Sequence, residues 1–423
     1  MSFPAYEEYN DSGVDWLGRV PDHWDVVPLK FLVATRGGGT PSKTNKKYWD
    51  NGLVPWASSK DLKVELLDDT IDHITQFAVE DDAAELVDAG SLLVVVRGMI
   101  LAHTFPVVKL LVPMAINQDL KALTPKEQLD PDYLSWMLRG SSRETLDRVD
   151  EAAHGTKVLR MDSWLRTLFA IPPLDEQEAI SAFLDVETAK IDALVSEQRR
   201  LIELLKEKRQ AVISHAVTKG LNPEAPMKPS GIPWPIEIPE HWEVSQLRRK
   251  MELQRGVDIT KDEQIEGDVP VVSSGGISSY HNQAIVDAPG VVLGRKGSVG
   301  SIHYIEKDYW PHDTTLYVKE FRGNLPRFLY YKMCSMDLAS YDTGSSNPTL
   351  NRNVLHPVRV PWPPLYEQEE IVEHLDSVFA EFDTLEAEAG LAIELLQERR
   401  TALISAAVTG KIDVRAFANR ETT

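Results

Sequence analysis

One stretch constrains this chain more than any other. Ile171–Gly220 reads IPPLDEQEAISAFLDVETAKIDALVSEQRRLIELLKEKRQAVISHAVTKG. Trp362–Lys411, 191 positions later, reads WPPLYEQEEIVEHLDSVFAEFDTLEAEAGLAIELLQERRTALISAAVTGK and aligns with it without a gap. An insertion-free copy of this length implies that element length matters, and it sets the period of the chain. Pro172-Pro173 blocks helix upstream. Asp175, with Glu178 three residues on, resembles a capping box. Neither proline nor glycine follows until Gly220.

Apolar residues recur at Ile180, Leu184, Ile191, Leu194, Leu201, Leu205 and Val212 in the first copy. Ile371, Leu375, Phe382, Leu385, Ala392, Leu396 and Leu403 stand at the same steps in the second. These spacings make a coiled-coil seam, which Glu187, Gln198 and Lys208 interrupt with polar groups. Each helix is expected to run about 40 residues, roughly 60 Å. A lone amphipathic helix of that length is unstable in water. Its repeat is the natural partner, so the expectation is an antiparallel intramolecular pair. Packing of each helix on its own domain is the weaker alternative, because one domain surface rarely spans that length. Pairing between chains stays open.

A second repeat has a different offset. Ser12-Gly13-Val14 and Trp16 return as Ser230-Gly231-Ile232 and Trp234, and Val20–Lys30 (VPDHWDVVPLK) returns as Ile238–Arg248 (IPEHWEVSQLR), 218 positions later. The two halves share both ends and differ in the length between. Proline-rich Asn222–Pro239 reads as a linker. Strands are expected at Leu92–Arg97 and Phe105–Val112 in half one, and at Val269–Ser273, Gly290–Leu293, Ser301–Ile305 and Thr315–Val318 in half two. Pro131–Arg139 and Leu325–Met333 read as short helices. The expected division is 1–173 first domain, 174–220 first helix, 221–364 linker and second domain, 365–412 second helix and 413–423 tail.

Composition adds limits. The 423 residues suffice for two or three domains. The single cysteine, Cys334, allows no internal disulfide and no cysteine-cluster zinc site, so a reducing cytoplasm is expected. MSFPAYEEYNDSG has no apolar core and does not read as a signal peptide, and no apolar run spans a bilayer. A net charge of −20 taken alone argues against a nucleic-acid partner. The distribution of the basic residues matters more than their sum.

At this point the residues resemble a family, the specificity subunits of type I restriction–modification systems. The matching elements are IPPLDEQEAI and PPLYEQEEI, the helix ends AVISHAVTKGL and ALISAAVTGKI, and Ala115–Leu123 (AINQDLKAL). Gly155-Thr156-Lys157 ahead of the first helix and Gly344-Ser345-Ser346 ahead of the second add to it. Half two departs at the AINQDL position, reading Trp310-Pro311-His312-Asp313-Thr314-Thr315-Leu316. The resemblance implies an α+β chain: two target recognition domains of similar fold, joined pseudo-two-fold by two long helices in an antiparallel coiled coil. It implies that each domain reads one half of a split, asymmetric site in double-stranded DNA. It also implies two modification subunits that methylate adenine with S-adenosylmethionine, and restriction subunits that use ATP and Mg2+. This chain would bind none of these cofactors itself.

The basic residues cluster around glycines. Arg36, Gly38, Thr40, Lys43, Lys46 and Lys47 form one such stretch, which lacks the glycine that precedes the lysine of a phosphate-binding nucleotide loop. Glycines let a backbone approach phosphates while Arg and Lys neutralise them. Lys60 continues this surface; Arg97-Gly98 and Lys157 are further candidates. In half two, Arg255-Gly256 and Lys261 occupy the place of Arg36-Gly37 and its lysines. Gly294–Gly300, with Arg295, Lys296 and Ser298, is a second basic loop whose counterpart is Arg97-Gly98. Ser274 and Tyr280 stand near it. For any one of these, plain solvent exposure is as good a reading as DNA contact. Glu176, Gln177, Glu367 and Gln368 are expected where helix meets domain, capping the helix start or docking a partner. Acidic Glu65–Asp88 reads as a solvated surface or one offered to protein partners.

The eleven histidines show no metal-ligand spacing, and no methyltransferase motif occurs, since Pro363-Pro364-Leu365-Tyr366 lacks the leading Asn or Asp. The leading expectation is therefore a non-catalytic DNA reader. Its rivals are a self-sufficient methyltransferase or nuclease, and a coiled-coil scaffold with no DNA role.

Overall fold

The computed structural model describes residues 3–152, 155–342 and 348–417. Gly344-Ser345-Ser346 therefore lies outside the described residues. The chain divides into two compact units, Met1–Glu197 with Ala392–Thr423, and Gln198–Leu391. Among the described residues no helix is long and apolar enough to cross a membrane.

The first unit is built on a five-stranded sheet in the order Val33–Gly37, Leu120–Pro125, Leu92–Val95, Val107–Leu110, Leu66–Leu67. Leu92–Val95 is central and buried at all four positions, which is why it reads as a continuous apolar run rather than an alternating one. A second sheet runs Asp72–Ile74, Val54–Ala57, Met114–Ile116, Leu86–Val87, with Val54–Ala57 and Met114–Ile116 parallel. Pro131–Gly140 is a helix: Pro131 opens it, and Asp130 Oδ1 accepts from Tyr133 N at 2.8 Å.

The second unit repeats this plan with fewer strands. One sheet runs Glu252–Arg255, Thr315–Glu320, Gly290–Gly294, Ile302–Ile305, and another Gly276–His281, Val269–Ser273, Trp310–Pro311. The parallel pair recurs as Val269–Ser273 with Trp310–Pro311. The helix is Pro326–Cys334. On it Lys332 is fully buried; burial pushes its amine down to about 7, and Nζ donates to Val217 O at 2.9 Å.

The expected linker is folded. Met227–Pro229 pairs antiparallel with Glu237–Pro239, as Tyr9–Asp11 pairs with Arg19–Pro21 in the first unit. The described part of the tail is also packed: Val414 is buried and Asp413 N donates to Pro4 O at 2.8 Å.

The long helices are Leu174–Lys219 and Leu365–Val408, of 46 and 44 residues. Each unit contains the opening part of one and the closing part of the other, and in the second unit the two run antiparallel, with Gly220 against Glu367 and Arg209 against Asp383. In the first, Ile180, Leu184, Ile191 and Val195 share a core with Leu403, Ile404, Ala407 and Val408. Arg400 Nε there lies 3.0 Å from Asp192 Oδ1. In the second, Leu205, Ile213 and Val217 share a core with Ile371, Leu375, Phe379 and Phe382. Arg209 pairs with Asp383 across these segments.

The seam departs from expectation at three leucines. Leu194, Leu201 and Leu385 are exposed, whereas Val195 and the hydroxyl-bearing Thr188 are buried. An unsupercoiled helix drifts about 20° per heptad from a strict 3.5 repeat, which turns such positions out of the contact. Thr188 Oγ1 answers its burial by donating to Leu184 O at 2.6 Å. Lys208 does not break the packing either, since its ammonium lies 5.5 Å from the Phe382 ring centre. Nor does Asp175 cap the helix. Gln177 N donates to Pro173 O at 2.9 Å, so Pro173 holds the cap position and Asp175 lies in the first turn.

Candidate nucleic-acid interface

In the first unit the glycine loop is strapped to the turn that follows Met114–Ile116. A Cβ on Gly38 would sit 1.9 Å from the Ile116 carbonyl oxygen, so only glycine fits. Gly39 N donates to that same oxygen at 2.9 Å, and Trp56 Nε1 donates to Gly39 O at 3.0 Å. Thr40 Oγ1 donates to Gln118 Oε1 at 2.7 Å. Beyond this fixed base Lys43, Lys46 and Lys47 are exposed, with no side-chain ion pair among the described residues.

Arg97 stands on the other side of the same turn. Val96 N donates to Asp119 O at 2.9 Å, Arg97 bridges to Val158, and Gly98 N donates to Lys157 O at 3.0 Å. The Arg97 guanidinium is exposed without an ion pair among the described residues. Three other candidates are partnered by acids. Arg36 lies 3.5 Å from Glu85, Lys60 2.7 Å from Asp72 and Lys157 2.8 Å from Glu151.

The second unit builds the same frame from different residues. A Cβ on Gly256 would sit 2.1 Å from the His312 carbonyl oxygen. Val257 N donates to Pro311 O at 2.8 Å, and Trp310 Nε1 to Val257 O at 3.0 Å. Arg295 N donates to Thr314 O and Lys296 bridges to Thr349, repeating the bonds of Val96 and Arg97. Lys296 is thus the counterpart of Arg97, and His312-Asp313-Thr314 replaces Asn117-Gln118-Asp119.

This register corrects one expectation. Arg255 faces Leu316 as Gly37 faces Lys121, so Arg255 stands in the place of Gly37, not of Arg36. The glycine that must lie on the carbonyl sets the alignment, and a one-residue shift in a strand turns a side chain to the other face. The cross-strand pair carries one cation in both units, Lys121 in the first and Arg255 in the second. Nothing local in the sequence marks Lys121, because its significance depends on that pairing.

Arg255 binds Asp313 Oδ2 at 2.7 Å, and Arg295 Nη1 donates to Asp313 O at 3.3 Å. Burial alone would raise the Asp313 carboxyl; the bond from Arg255, with His312 and Lys296 nearby, outweighs it and holds the group below its ordinary value. Burial and the neighbouring Arg255 lower Arg295. Ser274 joins this cluster, its N donating to Thr314 Oγ1 at 3.3 Å. The Ser298 carbonyl accepts from Ser301 Oγ at 2.9 Å and closes the basic loop. Lys261 and Tyr280 are exposed, and their side chains make no hydrogen bond or ion pair among the described residues.

The Glu-Gln pairs form a different site. Glu176 is buried and accepts from Trp24 Nε1 at 3.1 Å and from the Tyr6 hydroxyl, with His23 Nε2 at 2.9 Å. Gln177 accepts from Asp130 N at 2.8 Å and donates to Pro172 O at 2.9 Å. Glu367 takes Trp242 Nε1 at 2.7 Å and His241 Nε2 at 2.8 Å. Gln368 accepts from Leu325 N at 3.2 Å and donates to Asn324 Oδ1 at 3.0 Å. All four side chains are spent within their own unit at the helix start. The two glutamates clasp the repeated His-Trp dipeptide to the repeated helix, so two repeats of different offset meet at one place in each unit.

Residues 21–204 and 239–395 match the family described as type I restriction modification DNA specificity domain. The EcoR124I/EcoR124II specificity subunit of Escherichia coli is 34% identical over 172 residues, 40% of this chain and 42% of that protein. The putative MjaX specificity subunit of Methanocaldococcus jannaschii is 20% identical over 439 residues, 97% of this chain and 98% of that one. The chain thus spans under half the length of the first and nearly all of the second. Among solved structures, a chain from a study of assembly and conformational transition of the type I R-M system superposes with a TM-score of 0.65 at 16% identity, covering 92% of this chain and 98% of that one. The HsdS subunit from Thermoanaerobacter tengcongensis gives 0.50 at 15% identity, covering 93% and 98%. At such identities the likeness is one of fold.

Proposed function

The chain belongs to the type I restriction modification DNA specificity family, and from that premise we propose that it is the DNA-reading subunit of such a system, each unit reading one half of a bipartite, asymmetric site. One observation carries this reading. The two units hold the same backbone frame, fixed by Gly38 and Gly256, and fill it with different side chains. Arg97 stands against Lys296, and Asn117-Gln118 against His312-Asp313. Two copies of one frame with different polar groups suit two different half-sites. Arg and Lys on the loops neutralise phosphates, while Arg is suited to guanine and Asn or Gln to adenine.

The long helices, continuous through both units, set the gap between half-sites and offer their exposed faces to two modification subunits. Restriction subunits complete the assembly in the cytoplasm. S-adenosylmethionine, ATP and Mg2+ belong to those partners, and methylation and cleavage take place there rather than on this chain.

Methylome sequencing of the host with and without the gene tests this. The expected result is loss of adenine methylation at one bipartite motif with a fixed gap. An unchanged methylome, or methyl transfer by the purified chain without partners, overturns it.

A further inference from the structure

We propose that the unit Gln198–Leu391 carries a phosphate-binding pocket for the DNA backbone, formed by Arg248, Arg249, Arg322 and Arg352 around a cleft of about 550 Å3. The inference rests on the reading of the chain as a DNA binder. Met251, Leu253 and His356 line the same cleft, and its carboxylate is Glu252. Arg322 reaches Glu252 at 3.4 Å. Arg248 bonds Gln246 at 2.9 Å, and Arg352 lies 3.5 Å from Leu253 O. Arg249 is exposed with no ion pair among the described residues. Three of the four guanidinium groups thus converge without a carboxylate partner, in a chain whose net charge is −20. Like charges gathered this way repel until an anion enters between them.

The fold does not require these arginines. Lys30 N donates to Leu165 O at 2.8 Å, and Arg248 N to His356 O at 3.1 Å, which places the two segments in register. The first unit builds this corner with Lys30, Phe31, Met161 and Leu165 where the second has Arg248, Arg249, Arg352 and His356. One frame is stable with mostly apolar residues there, so the arginines answer to something outside it. His356 is consistent with a cationic surrounding. Leu253 N donates to its Nε2 at 3.2 Å, and burial followed by Arg352 holds the ring below its ordinary value.

Position and chemistry indicate a backbone phosphate. The strand Glu252–Arg255 has the pocket at its start and Arg255 of the candidate interface at its end. Three residues of strand span roughly 10 Å, which matches the rise of about three base pairs at 3.4 Å each along the DNA axis. The planar guanidinium fork matches paired phosphate oxygens. A free phosphate offers the same oxyanion, so the experiment separates the two sources.

The test measures binding of a mixed-sequence duplex to the full-length chain across a salt series, for the parent, R249A, R352A and the double variant. Both arginines are exposed, and unchanged thermal midpoints verify folding. The expected result is that the slope of log affinity against log salt becomes shallower by about 0.9 per lost contact, roughly 1.8 in the double variant. R97A and K296A serve as controls. If they flatten the slope while R249A and R352A do not, the pocket is not a DNA contact. If none of the four acts, the DNA-binding reading itself fails. Inorganic phosphate is titrated in parallel by 31P NMR. Binding that the arginine variants abolish, with an unchanged DNA slope, assigns the pocket to free phosphate and overturns the backbone contact.

Discussion

Glu176 shows how much of this architecture hangs on single side chains. Its buried carboxylate takes bonds from Trp24, Tyr6 and His23 at once. Removing it leaves an indole N–H and a hydroxyl without an acceptor in a nearly dry site. Glu176→Ala is therefore expected to destabilise the first unit by roughly 3–5 kcal/mol, the range for breaking a buried charged network, measured by denaturant unfolding. The clasp also has a pH signature. Burial alone would lower His23, but its bonds to Glu176 and Asp22 outweigh this and hold it raised. A raised histidine contributes stability that is full below its unfolded value of about 6.5 and is lost as pH rises through its folded value. Stability of the parent should decline over that window, and Glu176→Gln should flatten the decline. An equal decline in both proteins would refute the pairing as its source.

At the scale of elements, the helices were the most legible part. Their proline block, seam and terminal glycines are all local signals. The six strands expected from the sequence were right to within a residue or two at their ends, as with Gly290–Gly294 and Thr315–Glu320, but Val33–Gly37, Val54–Ala57, Leu120–Pro125, Glu252–Arg255 and Gly276–His281 were not read as strands. What escaped was long-range. Leu194 looked like seam because a seven-residue count ignores the drift that brings Val195 inward. Arg255 was placed one residue off because register is set by Gly256 lying on a carbonyl 56 residues further along, on His312. The four arginines of the cleft lie on three separate segments, so no window of sequence joins them. The helices invite a direct test of the spacing proposal. A heptad added to both, within Ile180–Ala216 and Ile371–Ala407, keeps each seam in phase and lengthens the pair by roughly 10 Å. The methylome should then show the same half-sites with a gap wider by up to about three base pairs at 3.4 Å each. An unchanged gap would sink the idea that helix length sets it.

For the molecule as a whole, charge is the governing quantity. With −20 spread over 423 residues, the exposed cations of the two candidate interfaces act against a repulsive background. The isolated chain is expected to hold duplex DNA weakly and to lose it steeply with salt. Fluorescence anisotropy on the purified chain measures this, and tight binding at physiological salt would contradict it. The clasps give the molecule a further property. The Trp–Glu bond closes a loop of 152 residues in one unit and 125 in the other. Loop-closure entropy grows only with the logarithm of length, so that difference costs roughly 0.2 kcal/mol. The length of chain between the clasped ends can therefore change at almost no cost in closure entropy. What is held constant is where the two ends of each unit meet, not how much chain lies between them.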